Sequence, residues 1–355
     1  MYQVLSIKSI IHNTSPIILA VVLYLLLYLL RLEQGGWEPK LDLFKTQRQI
    51  LDQKLGQILP SPQAEILSGI LLGQNKDLPA NIKLALRDTS TLHIVVASGQ
   101  NLSLVAGFAL GFSGLLKRKN ALILSLMVVI WYVLLTGLQV PIIRAAIMFT
   151  LASIAQFFGR QKEGIWILIV TGGLMILVNP LWISDLSFQL SFMATFGVTV
   201  VAPILLRYLK SVPLLSQDLA VTLGAQLMVT PIIAQNFHQF SIVGLVTNLL
   251  ILWTVPFIMI LGAVTLIFSF LSLFLVQIVG FSASALLAYF VYIVKFFASM
   301  PFAWEYVGEQ SWLVWVGYYL VLAGILMAIS TRHCDPDIYR EKQSSLETGQ
   351  ARLPR

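Results

Sequence analysis

The run His93-Ile-Val-Val-Ala-Ser98-Gly99-Gln100-Asn101-Leu-Ser103 places imidazole, hydroxyl and amide groups in an otherwise apolar stretch. Glycine beside small polar residues lets a helix unwind and present backbone N–H and C=O groups. Such a break either lines a polar cavity or joins two helices through Ser and Asn hydrogen bonds, and both readings stay open. In Pro141-Ile-Ile-Arg144-Ala145-Ala146-Ile-Met148 the proline suits a first helical turn, with Arg144 about one turn inside it. Arg144 either snorkels to the interface or turns inward towards an anion. In Asn179-Pro180 and Ser184-Asp185-Leu-Ser-Phe188-Gln189-Leu-Ser191-Phe192, Ser184 or Asp185 can cap the following helix, which explains one of them without any function. Asp185 and Gln189 share a face, with Phe188 and Phe192 on the next. Gln189 has no capping role and is expected to face protein or water. Asn248 stands in a long apolar run and needs a partner.

Two kinds of chemistry follow. Dispersed donors and one cation suit the passage of a polar or anionic cargo. Ser98 with His93 or His238 instead suggests a nucleophile and its base, which must come within hydrogen-bond reach. Five residues separate His93 from Ser98, a poor alignment on a regular helix. Val96 stands where a nucleophile motif would carry glycine. The hydrolase is therefore the weaker alternative.

The elements that must position these residues are set by composition. Of the 355 residues, 57% are hydrophobic and only 11% charged, with mean hydropathy +0.84. Soluble domains carry about 25% charged residues, so a water-facing surface cannot be built from this chain. The apolar runs reach the roughly 20 residues needed to span a bilayer as helix. The fold expected is an all-α polytopic membrane protein with about ten transmembrane helices, some broken or kinked. The spans read as 16–30, 91–116, 120–136, 140–159, 164–179, 186–206, 214–234, 241–271, 277–300 and 312–330. The first is expected to be an uncleaved anchor (1–31), because no small-x-small cleavage pattern follows it. Thr230-Pro231 and Pro256 mark kinks. For 241–271 one kinked crossing is preferred to two half-helices meeting at Pro256.

Segment 32–63 is expected to form an external amphipathic helix, with Leu41, Phe44, Ile50, Leu51, Leu55, Ile58 and Leu59 at near-helical spacing. Pro60-Ser61-Pro62 ends it. Ala64–Leu72, closed by Gly73, and Asn81–Arg87 are too short to span and are expected to pack as a lid over the bundle. Residues 331–355 form a polar tail.

Basic residues set the orientation. With the N-terminus in the cytoplasm, short inner loops hold Lys117-Arg118-Lys119, Arg160 with Lys162, and Arg207 with Lys210. Short outer loops hold Asp185, and Glu305 with Glu309. The basic tail then returns to the cytoplasm. The net charge of +7 is thus largely a matter of topology. The single cysteine, Cys334, can form no internal disulfide, and the four histidines are far apart, so neither a metal site nor a cofactor is expected.

Taken in order, these motifs resemble the competence domain of the ComEC family, inner-membrane channels for DNA uptake. The resemblance covers about residues 64–300. It begins at Ala64-Glu-Ile-Leu-Ser-Gly-Ile-Leu-Leu-Gly73 and runs through Thr91-Leu-His93, Ser98-Gly99, Arg144-Ala145 with Met148, and Asn179-Pro180. It continues through Asp185 and Phe188-Gln189-Leu-Ser-Phe192 to Thr230-Pro231 and Asn248-Leu-Leu near Pro256. The ordered set carries the match, not any single motif. The family commonly has Ser-Gly-x-His, whereas Asn101 stands here in the histidine position, so hydrogen bonding carries over and an imidazole role does not. Residues 31–63 are too few for the OB-like domain of larger members, and the tail has no HxHxDH pattern for their metallo-β-lactamase-like domain.

The resemblance implies a competence-type membrane domain over 64–330 that conducts single-stranded DNA inward. Its path is expected to be drawn from His93, Ser98, Gly99, Gln100, Asn101, Arg144, Asp185, Gln189 and Asn248, with aromatic faces for bases. No Walker A motif is present. A separate DNA receptor, a nuclease and a cytoplasmic ATPase or single-strand binder are therefore implied as partners, besides membrane lipids. Homo-oligomerisation is compatible with the sequence. A small-solute transporter with a midplane site is the main alternative.

Overall fold

The apolar runs fold as helices because in lipid each backbone N–H and C=O must find a partner within its own segment. The computed structural model describes residues 21–33, 35, 42–74, 78–96, 98–159, 163–209 and 216–331. Residues 1–20, Leu41, Arg160, Lys162, Lys210 and the tail from 332 lie outside them. The helices are α1 (21–33), α2 (Lys45–Ile58), α3 (Gln63–Leu72), α4 (Ala80–Asp88), α5 (Leu92–Val95), α6 (Gly99–Gly111), α7 (Arg118–Thr136) and α8 (Val140–Phe157). They continue as α9 (Gly164–Val178), α10 (Leu186–Phe196), α11 (Ala202–Leu206), α12 (Ser216–Phe237), α13 (Gly244–Ile251), α14 (Thr254–Phe268), α15 (Leu273–Ala298) and α16 (Trp312–Thr331). Two three-residue strands, Gln239–Ser241 and Trp304–Tyr306, make the one small sheet among the described residues. The protein is an all-α polytopic membrane protein.

Six described helices are long and apolar enough to cross a bilayer: Arg118–Thr136, Val140–Phe157, Leu186–Leu206, Ser216–Phe237, Phe274–Ala298 and Trp312–Ile329. A seventh crossing is available to α13 and α14 together, which meet at 46°. Of the ten expected spans, the first lies only partly within the described residues, as 21–33, and two others fall short for physical reasons. The expected span 91–116 is broken: Val96 and Ser98 adopt extended backbone between α5 and the 13-residue α6. The helix in 164–179 has 15 residues. The bend in 241–271 also moves, falling at Leu252–Trp253 and not at Pro256. Pro256 occupies the first turn of α14, where a missing N–H removes no helical hydrogen bond.

The chain divides into two compact units, Met1–Thr195 with Ser241–Glu305, and Phe196–Phe240 with Tyr306–Arg355. In the first, α3 lies at the centre. Eight of its ten residues are buried, among α2, α5, α14 and α15. The lid expected over 64–72 is therefore a core helix. Ile66, Leu67 and Ile70 pack with Leu55, Val255 and Phe290 in one cluster. Glycines admit this close approach: a Cβ on Gly262 would stand 2.5 Å from Leu67 Cδ1, and one on Gly69 2.5 Å from Val95 O. The α2 pattern holds in part, with Leu55 and Leu59 buried and Ile50 exposed.

Two further clusters complete the unit. Leu102 and Ala106 of α6 pack with Val129 and Tyr132 of α7 and Ile142 of α8. Met175, Trp182 and Phe188 form the other, against the α8 side chains Val140, Ile143 and Ile147. In the second unit Gly197 opens a five-residue π-helical segment, Gly197–Val201, and packs on Gly224 of α12 so closely that a Cβ would overlap the Gly224 backbone.

Candidate functional site

Site geometry starts at the break between α5 and α6. Ser98, in extended conformation, caps α6, its Oγ accepting from Asn101 N–H at 3.4 Å. Capping leaves the N–H groups of Gly99 and Gln100 without acceptors among the described residues. Ser98 and Gly99 are half-buried and Gln100 is exposed.

Asn101 turns the other way and is buried. Its Nδ2 donates to Ile70 O at 3.0 Å, and the Tyr132 hydroxyl reaches the same oxygen at 3.4 Å. That carbonyl is left over at the end of α3, where Gly73 N–H bonds Gly69 O and Gln74 N–H bonds Ser68 O around a left-handed Gly73 (φ 71°). Gln139 Nε2 supplies Gly73 O at 3.2 Å. Asn101, Tyr132 and Gln139 therefore finish the buried helix end, which accounts for Asn101 as helix-joining polarity.

Arg144 does not snorkel. It is only 9% exposed, although it lies one turn inside α8. Its Nη1 donates to Thr195 Oγ1 of α10 and stands 3.7 Å from Met148 Sδ. The guanidinium carbon lies 5.9 Å from the centre of the Phe192 ring. Nε is buried without a partner. The other terminal nitrogen, Nη2, faces Gly99: a Cβ there would come within 2.8 Å of it. The described residues contain two ion pairs, Arg48–Asp42 and Arg87–Asp88, and neither involves Arg144. A buried cation without a counter-ion costs several kcal/mol.

At the start of α10, Asp185 is the cap: its Oδ1 accepts from Phe188 N–H at 2.9 Å. Gln189 Nε2 donates to Ile183 O at 3.0 Å, tying the preceding 3-10 turn to the helix. Phe188 and Phe192 rings lie 4.3 Å apart on the face that also carries Thr195. Asn179 is buried and caps the same turn, its Oδ1 accepting from Leu181 N–H at 3.0 Å. A cleft of about 480 Å³ opens here, lined by Val140, Asn179, Trp182, Ser184 and Asp185.

The structure thus brings together Gly99, Arg144, Met148, Phe192 and Thr195. Other expected residues stand apart from this group. His93 is exposed on α5, with Nδ1 2.9 Å from Ser90 O. Among the described residues it makes no hydrogen bond to Ser98, whose oxygen serves as a cap. Asn248 is buried in α13, with Oδ1 unpartnered. Two polar residues went unnoticed in the sequence. Thr195 could have been found, since it continues the Phe188–Phe192 face by three residues. Arg48, buried on α2 with Nη1 on Leu135 O at 3.0 Å, gives no signal within a stretch of many charges.

The profile described as Competence protein matches residues 70–332. ComE operon protein 3 of Bacillus subtilis (strain 168) is 29% identical over 212 residues, covering 58% of this chain and 26% of that protein. An uncharacterized protein, YcaI, of Escherichia coli (strain K12) is 27% identical over 297 residues, covering 77% and 38%. An uncharacterized protein of Aquifex aeolicus (strain VF5) is 31% identical over 201 residues, covering 52% and 48%. The chain spans between about a quarter and a half of the length of these relatives. No solved structure matches it significantly.

Proposed function

The chain belongs to the Competence protein family, and from that membership we propose that it conducts single-stranded DNA inward across the cell membrane during natural transformation. One observation carries the reading: the Arg144 guanidinium is buried with no carboxylate among the described residues to neutralise it. A strand of phosphodiesters supplies that charge as it passes. Binding at a single cation is weak enough for release, as conduction requires. Phe192, half-buried beside the guanidinium, offers an apolar face for a base. Gln100 and Gln189 add amides, and Ser98, Asp185, His93 and Asn248 are the remaining candidates for the path. Residues 64–330 form the translocating domain, with 1–31 as anchor, 32–63 as linker and 331–355 as tail. Both termini lie in the cytoplasm. Driving force comes from a partner ATPase or from cytoplasmic capture of the strand, and a receptor and a nuclease deliver it.

The test follows labelled DNA into a DNase-protected cytoplasmic pool, in a transformable strain lacking its own channel and expressing this chain. Protection that depends on the chain and falls with Arg144→Glu supports the reading. Unchanged entry with the protein stably inserted removes it and leaves the small-solute transporter as the account.

A further inference from the structure

The cleft at the start of α10 is lined by polar groups that the fold uses only in part. Asn179 is 2% exposed, and its Oδ1 accepts from the Leu181 N–H, which settles the amide with Nδ2 as the remaining end. Nδ2 has no acceptor among the described residues, yet it is not sealed off, and the cleft is the space that Asn179 lines. The indole N–H of Trp182, on a residue 8% exposed, stands in the same condition beside it. Buried donors left unmade are costly and uncommon. Asp185 gives Oδ1 to the Phe188 N–H and keeps Oδ2, with no cation paired to it among the described residues. All these polar groups come from the segment 179–185. Leu138 and Val140, at the entry to α8, contribute an apolar wall. The volume, about 480 Å³, is that of a small-ligand pocket.

These groups select a ligand by their chemistry. The Asp185 carboxylate repels an anion. A simple cation would answer Asp185 and leave the Asn179 and Trp182 donors facing it. Both sets are met by a neutral ligand that carries an acceptor beside a donor. A sugar carries hydroxyls all round its ring and would set some of them against Leu138 and Val140. A nucleobase has apolar faces and keeps its donors and acceptors in plane along its edges, which suits one polar wall and one apolar wall. We infer that the cleft is a seat for one unpaired nucleobase, its ring acceptor met by Asn179 Nδ2 and its amino group donating to Asp185 Oδ2. Cytosine, with an exocyclic amine next to a ring acceptor, has the required edge. The same carboxylate turns phosphates away, so the base enters and the backbone stays outside. That the base belongs to a transported strand rests on the DNA-conduction reading.

The experiment uses the full chain in phosphatidylcholine nanodiscs and equilibrium dialysis with a labelled deoxycytidine decamer and a labelled abasic decamer of the same backbone. Uptake of labelled DNA into the DNase-protected pool is followed for the same variants. Asp185→Asn is decisive, because it keeps the capping oxygen and turns Oδ2 into a donor. The seat requires that the deoxycytidine strand bind more tightly than the abasic one. It also requires that Asp185→Asn weaken the former about tenfold, the worth of a charge-assisted hydrogen bond, and leave the latter no weaker. Charge alone predicts the opposite sign, since loss of a carboxylate should tighten any polyanion. Asn179→Ser, whose hydroxyl can still accept from the Leu181 N–H, should weaken the deoxycytidine strand too, so a folding defect in one variant does not decide the matter. Equal binding of the two strands, or deoxycytidine binding that holds or tightens in Asp185→Asn, overturns the seat. If uptake then persists, DNA conduction stands without it. Base-dependent binding that both substitutions weaken, in a chain that admits no DNA, keeps the seat and removes conduction. Labelled methyl glucoside that binds, is lost in Asp185→Asn and is not displaced by the deoxycytidine strand would make the cleft a sugar site and overturn the base.

Discussion

The hydroxyl of Tyr318 lies 3.0 Å from the carbonyl oxygen of Leu227, the acceptor that Pro231 leaves without a helical donor. A proline inside a helix frees the carbonyl four residues earlier. In lipid that oxygen needs another partner. The neighbouring Tyr319 hydroxyl donates to Met228 O at 2.8 Å. Tyr318→Phe should therefore lower stability by about 1 kcal/mol. In a Pro231→Ala background, where residue 231 again has an N–H for Leu227, it should cost clearly less. Thermal unfolding of the four proteins in detergent gives the coupling. Strictly additive losses would show that the tyrosine does not answer the proline.

Asn101→Ala should loosen the end of α3, because Ile70 O then keeps only the longer bond from Tyr132. The expected cost is about 1–3 kcal/mol for a buried acceptor partly stranded. Asn101→His, which restores the residue common in the family at this position, should recover much of it through a ring N–H. Unfolding midpoints check the order wild type, His, Ala. A histidine variant no better than alanine would argue that amide geometry is needed.

Two glycine substitutions should act in opposite directions. Gly197→Ala drives a methyl group into the Gly224 backbone, where no rotamer gives relief, and should cost 3 kcal/mol or more, beyond the usual ~1–3 for overpacking. Gly107→Ala, on the open side of α6 with nothing within 4 Å, should gain about 0.4–1 kcal/mol through the unfolded chain. Comparing the two melting curves tests the close packing in one experiment.

The proposed orientation places the tail, and with it the only cysteine, Cys334, in the cytoplasm. A membrane-impermeant maleimide should label Cys334 only after cells are permeabilised. Labelling of intact cells would invert the topology and put Asp185, Glu305 and Glu309 inside.

Local rules were legible in the sequence and distant partnerships were not. Asp185 as a cap follows from residue type and position, and the structure shows it accepting from Phe188 N–H. The amphipathic spacing around Leu55 and Leu59 reports burial directly. Arg144 was open between two readings because one turn inside a helix is near enough to the interface to snorkel and deep enough to be enclosed. What decided it was Thr195, 51 residues away. Asn101 and Ile70 are likewise joined only by folding. The central place of α3 escaped because a span is recognised by about 20 apolar residues, and a ten-residue helix buried inside protein has no such signature.

That central place also orders events in time. Helix α3 leaves the ribosome early, yet much of what encloses it is made last: Gln63 at its start hydrogen-bonds Ser284 of α15, 221 residues later in the chain. At ordinary rates of synthesis this is a delay of about 10–45 s. For most of it the eight residues that end in the core have neither α14 nor α15 to cover them. A newly inserted chain is therefore a substrate for whatever shelters half-assembled membrane proteins. Truncation before α14 should turn a stable protein into one that is rapidly degraded, even though most of its long helices are already in place.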